Sequence, residues 1–156
     1  MNGRIPALLI LGAAVAAGVG VWYAQEYGFY DRLDPSAVAL TVIAGGRPVP
    51  LATDGVEAID ASSSPIRWRA CFHLTQPLPQ DAEAFPQPTP LIGPNWFSCF
   101  DAARIGADLA SGAAQAYLAQ PEIRPDVDRV IAVYPDGRAY GWQQFNDKTP
   151  ERGVMD

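Results

Sequence analysis

The chain has 156 residues, with 11 Lys+Arg against 17 Asp+Glu and a formal net charge of −6. Such an acidic balance argues against nucleic acid as a partner and against adhesion to anionic lipid. Two cysteines and a single histidine make a poor metal-ligand set, and neither a phosphate loop nor a C-x-x-C-H haem-attachment motif occurs.

From Ile5 to Ala24 the sequence carries no charge and is largely apolar. At about 1.5 Å per residue this stretch spans about 30 Å as a helix, the thickness of a bilayer's hydrocarbon core. Trp22-Tyr23 closes it, as interfacial aromatics do. Pro6 sits in the first turn, where its missing N–H costs little. Arg4 precedes the run, whereas Glu26, Asp31, Arg32 and Asp34 follow it. Positive charge stays cytoplasmic during insertion, so the expected orientation is amino terminus inside, remainder outside, which in a bacterium is the periplasm. A cleaved signal peptide is the competing reading, since Ala14-Val15-Ala16 resembles a cleavage pattern. The apolar run continues past it to Tyr23, which favours a retained anchor. Gly12, Ala16 and Gly20 recur every four residues on one helix face, where small side chains let a second membrane helix approach. An Ala- and Gly-rich composition explains the same stripe without a partner.

The organisation expected is an anchor at 5–24, a juxtamembrane stem at 25–37, a folded domain at 38–145 and a flexible tail at 146–156. Gln25-Glu26-Tyr27 continue the helix, Gly28 loosens it and Asp34-Pro35 ends it. Val38 to Ile43 reads as a strand, and Gly45-Gly46 turns it into Pro48-Val49-Pro50-Leu51, a hairpin with a proline-limited edge strand. Asp60 to Pro65 reads as a polar loop. From Ile66 to Leu74 the chain alternates: Ile66, Trp68, Ala70, Phe72 and Leu74 on one face, Arg67, Arg69, Cys71 and His73 on the other.

Fifteen prolines, six of them between Pro77 and Pro94, predict a long ordered loop. It ends at Trp96-Phe97-Ser98-Cys99-Phe100. Asp101 is placed to cap a helix whose Ala102, Ile105 and Leu109 share a face and which Gly112 stops. Ala114 to Leu118 fits a short strand, and Pro121 and Pro125 flank the next loop. Arg129 to Gln144 is a hairpin: Val130-Ile131-Ala132-Val133-Tyr134 is apolar on both faces, hence central, and Pro135-Asp136-Gly137 supplies the turn. The fold class is α+β: an N-terminal transmembrane helix, then a small antiparallel sheet with one packed helix.

Two cysteines, Cys71 and Cys99, in an exported domain read as one disulfide. Closing that loop stabilises by about 3 kcal/mol in the chain-entropy model. No candidate for catalysis stands out. His73 on its strand can act as a base or ligand, but nothing nearby in sequence completes a set. Ser62-Ser63-Ser64 lacks a nucleophile-elbow setting. Asp60 and Asp101 form an acid–base pair only if the fold joins them; turn and cap roles explain each alone. Arg67 and Arg69 share a face with His73, which suits either an acidic ligand or cross-sheet ion pairs. Trp96, Phe97 and Phe100 form either an exposed contact patch or the aromatic plug of the core.

Three segments carry a family resemblance: Ser63-Ser64-Pro65-Ile66-Arg67-Trp68-Arg69-Ala70-Cys71-Phe72, Trp96-Phe97-Ser98-Cys99-Phe100-Asp101-Ala102, and Asp128 through Tyr140. With the opening Met1-Asn2-Gly3, they resemble an uncharacterised alphaproteobacterial family of short single-span proteins, sometimes labelled histidine kinases. The chain has neither the paired dimerisation helices nor the glycine-rich ATP lid of a kinase. The resemblance implies an inner-membrane, periplasm-facing protein and carries no catalytic residue with it. The expected function is a non-catalytic accessory subunit, without cofactor or metal, docked through its span into a larger integral membrane complex in the lipid bilayer. The alternatives are a stand-alone periplasmic binding or chaperone-like module and, third, a small envelope enzyme.

Overall fold

A computed structural model of the chain describes residues 3–146. Ten of the eleven residues of the predicted tail therefore lie outside the described residues. Helix α1, Arg4–Tyr23, buries none of its 20 residues against the rest of the molecule. It runs on into a π-helical turn, Ala24–Gly28. By length and composition this helix can cross a membrane. Leaving Leu8, Leu9, Ile10 and Leu11 exposed in water would be costly, which is the physical reason to read lipid as its solvent.

The remainder is α+β. Eight strands follow: β1 Asp31–Arg32, β2 Thr41–Ala44, β3 Arg47–Pro50, β4 Thr53–Asp60, β5 Arg69–Leu74, β6 Gln115–Arg124, β7 Val127–Val133 and β8 Arg138–Phe145. Helix α2, Ala102–Ser111, lies between β5 and β6 in sequence. Six strands form one antiparallel sheet in the order β1-β4-β5-β8-β7-β6, and β2-β3 form a second. The Pro-rich loop ties the two together. Glu83 N–H donates to Ile43 O at 2.7 Å, while Glu83 O accepts from Leu118 N–H at 2.9 Å. The loop thereby covers the first half of the β6 edge, a place where unpaired backbone would invite aggregation.

Two cores result from the alternation of strand side chains. Val42, Trp68, Ala70, Phe72, Ile131 and Ala139 pack between the sheets. On the other face Ile59, Phe97, Phe100, Ile105, Val130 and Trp142 pack beneath α2 and the loop that precedes it. Cys71 and Cys99 are joined by a disulfide that pins this loop to β5. The second face of β5 is accordingly covered at Arg69 and Cys71 and open only at His73. Gly141 makes room for Trp68: a Cβ at this position would stand 2.8 Å from the indole ring.

The α2 cap is as expected, with Asp101 accepting from Arg104 N–H at 3.0 Å and Gly112 in the left-handed region at φ 77°. Both residues of the Gly45-Gly46 turn have positive φ, as a two-residue hairpin requires. Three elements differ from the sequence reading. Strand β4 falls in a stretch that shows no alternation; Gly55, at φ 58°, sits in a bulge between Asp54 and Glu57 that breaks the period of two. Strand β6 continues through Pro121 to Arg124 rather than giving way to a loop, because the register shift between Gln120 and Arg124 leaves the proline without a ladder bond to make. The segment 25–37 contributes β1, which pairs with the end of β4 through Asp31↔Asp60 and Arg32↔Ile59.

Candidate functional site

The most developed concavity is a cleft of about 650 Å³ where β4, the loop after it, β6 and β7 come together. Asp60 closes β4, and the chain leaves the sheet there through Ser62, Ser63 and Ser64. Arg129 lies two residues before Ile131 on β7, so alternation turns it toward the core between the sheets. There its guanidinium stacks 3.9 Å from the buried Trp68 ring. Burial lowers the Arg129 pKa to about 10, against an opposing pull from the Asp60 carboxylate, and leaves it charged at neutral pH. Asp60 is fixed by the Ala61 N–H at 2.7 Å. Arg124, at the end of β6, adds a second cation at the rim. Hydroxyls, two carboxylates (Asp31 and Asp60) and two guanidinium groups thus line one space. Such a set can recognise a small polar group through charge and hydrogen bonds.

The other candidates from sequence stand apart. His73 is paired with Asp54 in the ladder, at the opposite end of β4 from Asp60. Its Nε2 lies 2.9 Å from Asp136 O and its Nδ1 3.7 Å from Asp54 Oδ1. The fold does not bring Asp60 and Asp101 into one site: Asp101 caps α2 and lines a different, smaller cleft. Among the described residues no cluster of three His, Cys, Asp or Glu side chains is placed to hold a metal ion. The Gly12, Ala16 and Gly20 face of α1 is open, and a Cβ built at either glycine meets nothing within 4 Å.

The aromatic patch needs correction. Phe97 and Phe100 are buried, at 2% and 7% exposure, and belong to the core under α2, so they are not available as a contact surface. Trp96 is half-buried and faces the chain that leaves the span. Its Nε1–H donates to Glu26 O at 2.5 Å, Tyr30 meets it edge-on, and Arg32 lies over its ring at 4.9 Å. The Arg67–Arg69 face also differs from expectation. Arg69 is 2% exposed and donates to main-chain carbonyls rather than to acids: Leu91 O at 2.7 Å, Ile66 O at 2.8 Å, Trp68 O at 2.7 Å and Ile92 O at 3.2 Å. Arg67 lies over the Tyr30 ring at 5.3 Å.

Sequence reasoning missed Arg124 and Arg129 as site residues. A signal existed at Arg129, a cation that with Asp128 interrupts an otherwise apolar central strand. Their meeting with Asp60 and the serines is set by strands far apart in sequence, which local patterns do not report.

A model described as Family of unknown function (DUF6446) matches residues 38–152, and the chain belongs to that family. Comparison with curated proteins and with solved structures returns no match.

Proposed function

We propose that this protein is a single-span accessory subunit of a larger integral membrane complex, with its disulfide-stapled domain outside the cytoplasm, in a bacterium the periplasm. The observation that carries the reading is α1, a helix of 20 residues with every side chain unburied, joined to a domain that packs its own core completely. Lipid covers most of such a helix, and the Gly12–Ala16–Gly20 face is narrow enough for a second helix to reach its backbone. The disulfide supports an oxidising compartment. Action through binding rather than catalysis is supported by the separation of His73, Asp60 and Asp101.

Purification of the full chain in mild detergent tests this reading. A larger integral membrane complex should co-purify, and Gly12→Leu with Gly20→Leu should release it while the protein stays in the membrane fraction. Recovery of the unaltered protein alone under several gentle detergents would contradict it. The cleft at Asp60 and Arg129 favours a second reading, a stand-alone tethered binding module. In that case the protein purifies alone, and Arg124→Gln, at an exposed position in the same cleft, weakens binding of a small polar ligand without lowering the melting temperature by more than a few degrees.

A further inference from the structure

The chain that leaves α1 is fastened to the domain beside a prominent loop tip. Glu26, three residues past the last residue of α1, accepts from the Asn95 N–H at 3.1 Å and the Asn95 side-chain amide at 3.3 Å. Its carbonyl accepts from Trp96. Residues 91–95 are thereby held at the level where the span ends. Gln25, Glu26 and Tyr30 share one groove with Arg67, Ile92 and Gly93. Ile92 is 84% exposed, more than any other large apolar residue among the described residues, the span included.

This exposure is not that of a loose loop. Arg69 holds the carbonyls of both Leu91 and Ile92, and its stem passes close to Gly93, where a Cβ would lie 3.7 Å from Arg69 Cγ. The tip is preorganised by a buried cation, and it leaves an isoleucine exposed in the groove it shares with Gln25 and Glu26, a stretch of chain where Trp22, Tyr23, Tyr27 and Phe29 are also exposed. Exposed aromatics gather where headgroups meet acyl chains. Arg67 flanks the same groove, stacked on Tyr30 and half-buried.

We propose that this loop tip is a second membrane contact, in which Ile92 enters the interfacial layer of the bilayer that α1 spans and the Arg67 guanidinium binds a lipid phosphate. The proposal rests on the reading of α1 as a span. Continuity with the span identifies the occupant, because the surface adjoining Glu26 is the surface of that bilayer. The domain's acidic character works against long-range attraction to anionic lipid. The contact is therefore short-ranged, built from one apolar side chain and one guanidinium, and it needs no anionic lipid. Its consequence is orientation: span and tip together hold the domain at a fixed angle to the membrane, where a single tether would let it swivel.

The test uses the full-length protein in phosphatidylcholine nanodiscs, with a single environment-sensitive fluorophore introduced through Ile92→Cys, Leu11→Cys or Gln76→Cys. The native disulfide is left intact. Quenching is read with lipids carrying a doxyl group either near the headgroup or deep in the acyl chain. The label at 11 should be quenched by the deep group, the label at 92 by the shallow group, and the label at 76 by neither. Adding Arg67→Gln should weaken the quenching at 92 and leave that at 11 unchanged. Quenching at 11 with none at 92 would overturn the membrane contact and leave the span intact. No quenching at 11 would overturn the span itself.

Discussion

Arg69 shows how one buried cation organises this molecule. Removal of water lowers its pKa to about 10, with Tyr30 and Asp60 pulling the other way, so it keeps its charge at neutral pH. Four carbonyl contacts offset the loss of hydration. Arg69→Ala removes the donor from one buried and three partly buried carbonyl contacts, so the variant should lose about 3 kcal/mol, measured by urea denaturation of the full chain in detergent. Gly141 is a second single-residue constraint. A methyl group there collides with the Trp68 ring, and the ring cannot retreat because Arg129 stacks on it. Gly141→Ala should therefore cost about 1–3 kcal/mol, with a lowered melting temperature as the readout. Asp136 has a visible pH response. Its hydrogen bonds with Arg138 side chain and backbone hold the carboxyl below its ordinary range. A lowered carboxylate pKa stabilises the native turn above the unfolded-chain value and ceases to do so as pH falls through the lowered one. In an NMR titration Asp136 should protonate at lower pH than an aspartate in the denatured chain.

The elements divide into those whose local chemistry decides them and those decided by neighbours. Helix α2 belongs to the first kind. Asp101→Ala should cost about 1 kcal/mol by freeing the Arg104 N–H. The disulfide is a stronger element-scale contribution. Cys71→Ser with Cys99→Ser should lower stability by about 3 kcal/mol, because the bridge closes a loop of 28 residues' separation. The apolar helix α1, the α2 cap and stop, the β7–β8 hairpin and the cysteine pair were legible in the sequence, since each announces itself within a few residues. Strand β4 was not, because Gly55 and its bulge erase the alternation. Pro121 looked like a break because a proline inside a strand is tolerated only where the ladder is interrupted, and that interruption is a tertiary fact. The order of the Pro-rich loop was legible from composition, but its means were not: Gln144 accepts from Thr89 N–H at 2.8 Å and donates to Gln87 O at 3.0 Å. The cleft at Asp60 was the least legible part. Its serines and aspartate read as turn residues, and Arg129 reaches them only after the sheet forms.

At the scale of the whole molecule, the parts have one arrangement that accounts for them together. An apolar helix that the domain does not bury is long and apolar enough to cross a membrane. A disulfide needs an oxidising compartment. Asn95 and Trp96 donate hydrogen bonds to Glu26 and so fasten the domain to the chain just past the helix. In the proposed topology, Arg4 before the span and Glu26, Asp31 and Asp34 after it favour an amino terminus inside. On this account the Asp60–Arg129 cleft faces the space outside the cytoplasm and the Ile92 tip meets the outer surface of the bilayer. A pair of fusions at the carboxyl end, expressed with the full chain in a bacterium, tests the arrangement most directly. Alkaline phosphatase, which folds only in the periplasm, should be active, and a green fluorescent protein that folds only in the cytosol should stay dark. A bright fluorescent fusion beside an inactive phosphatase would contradict the account.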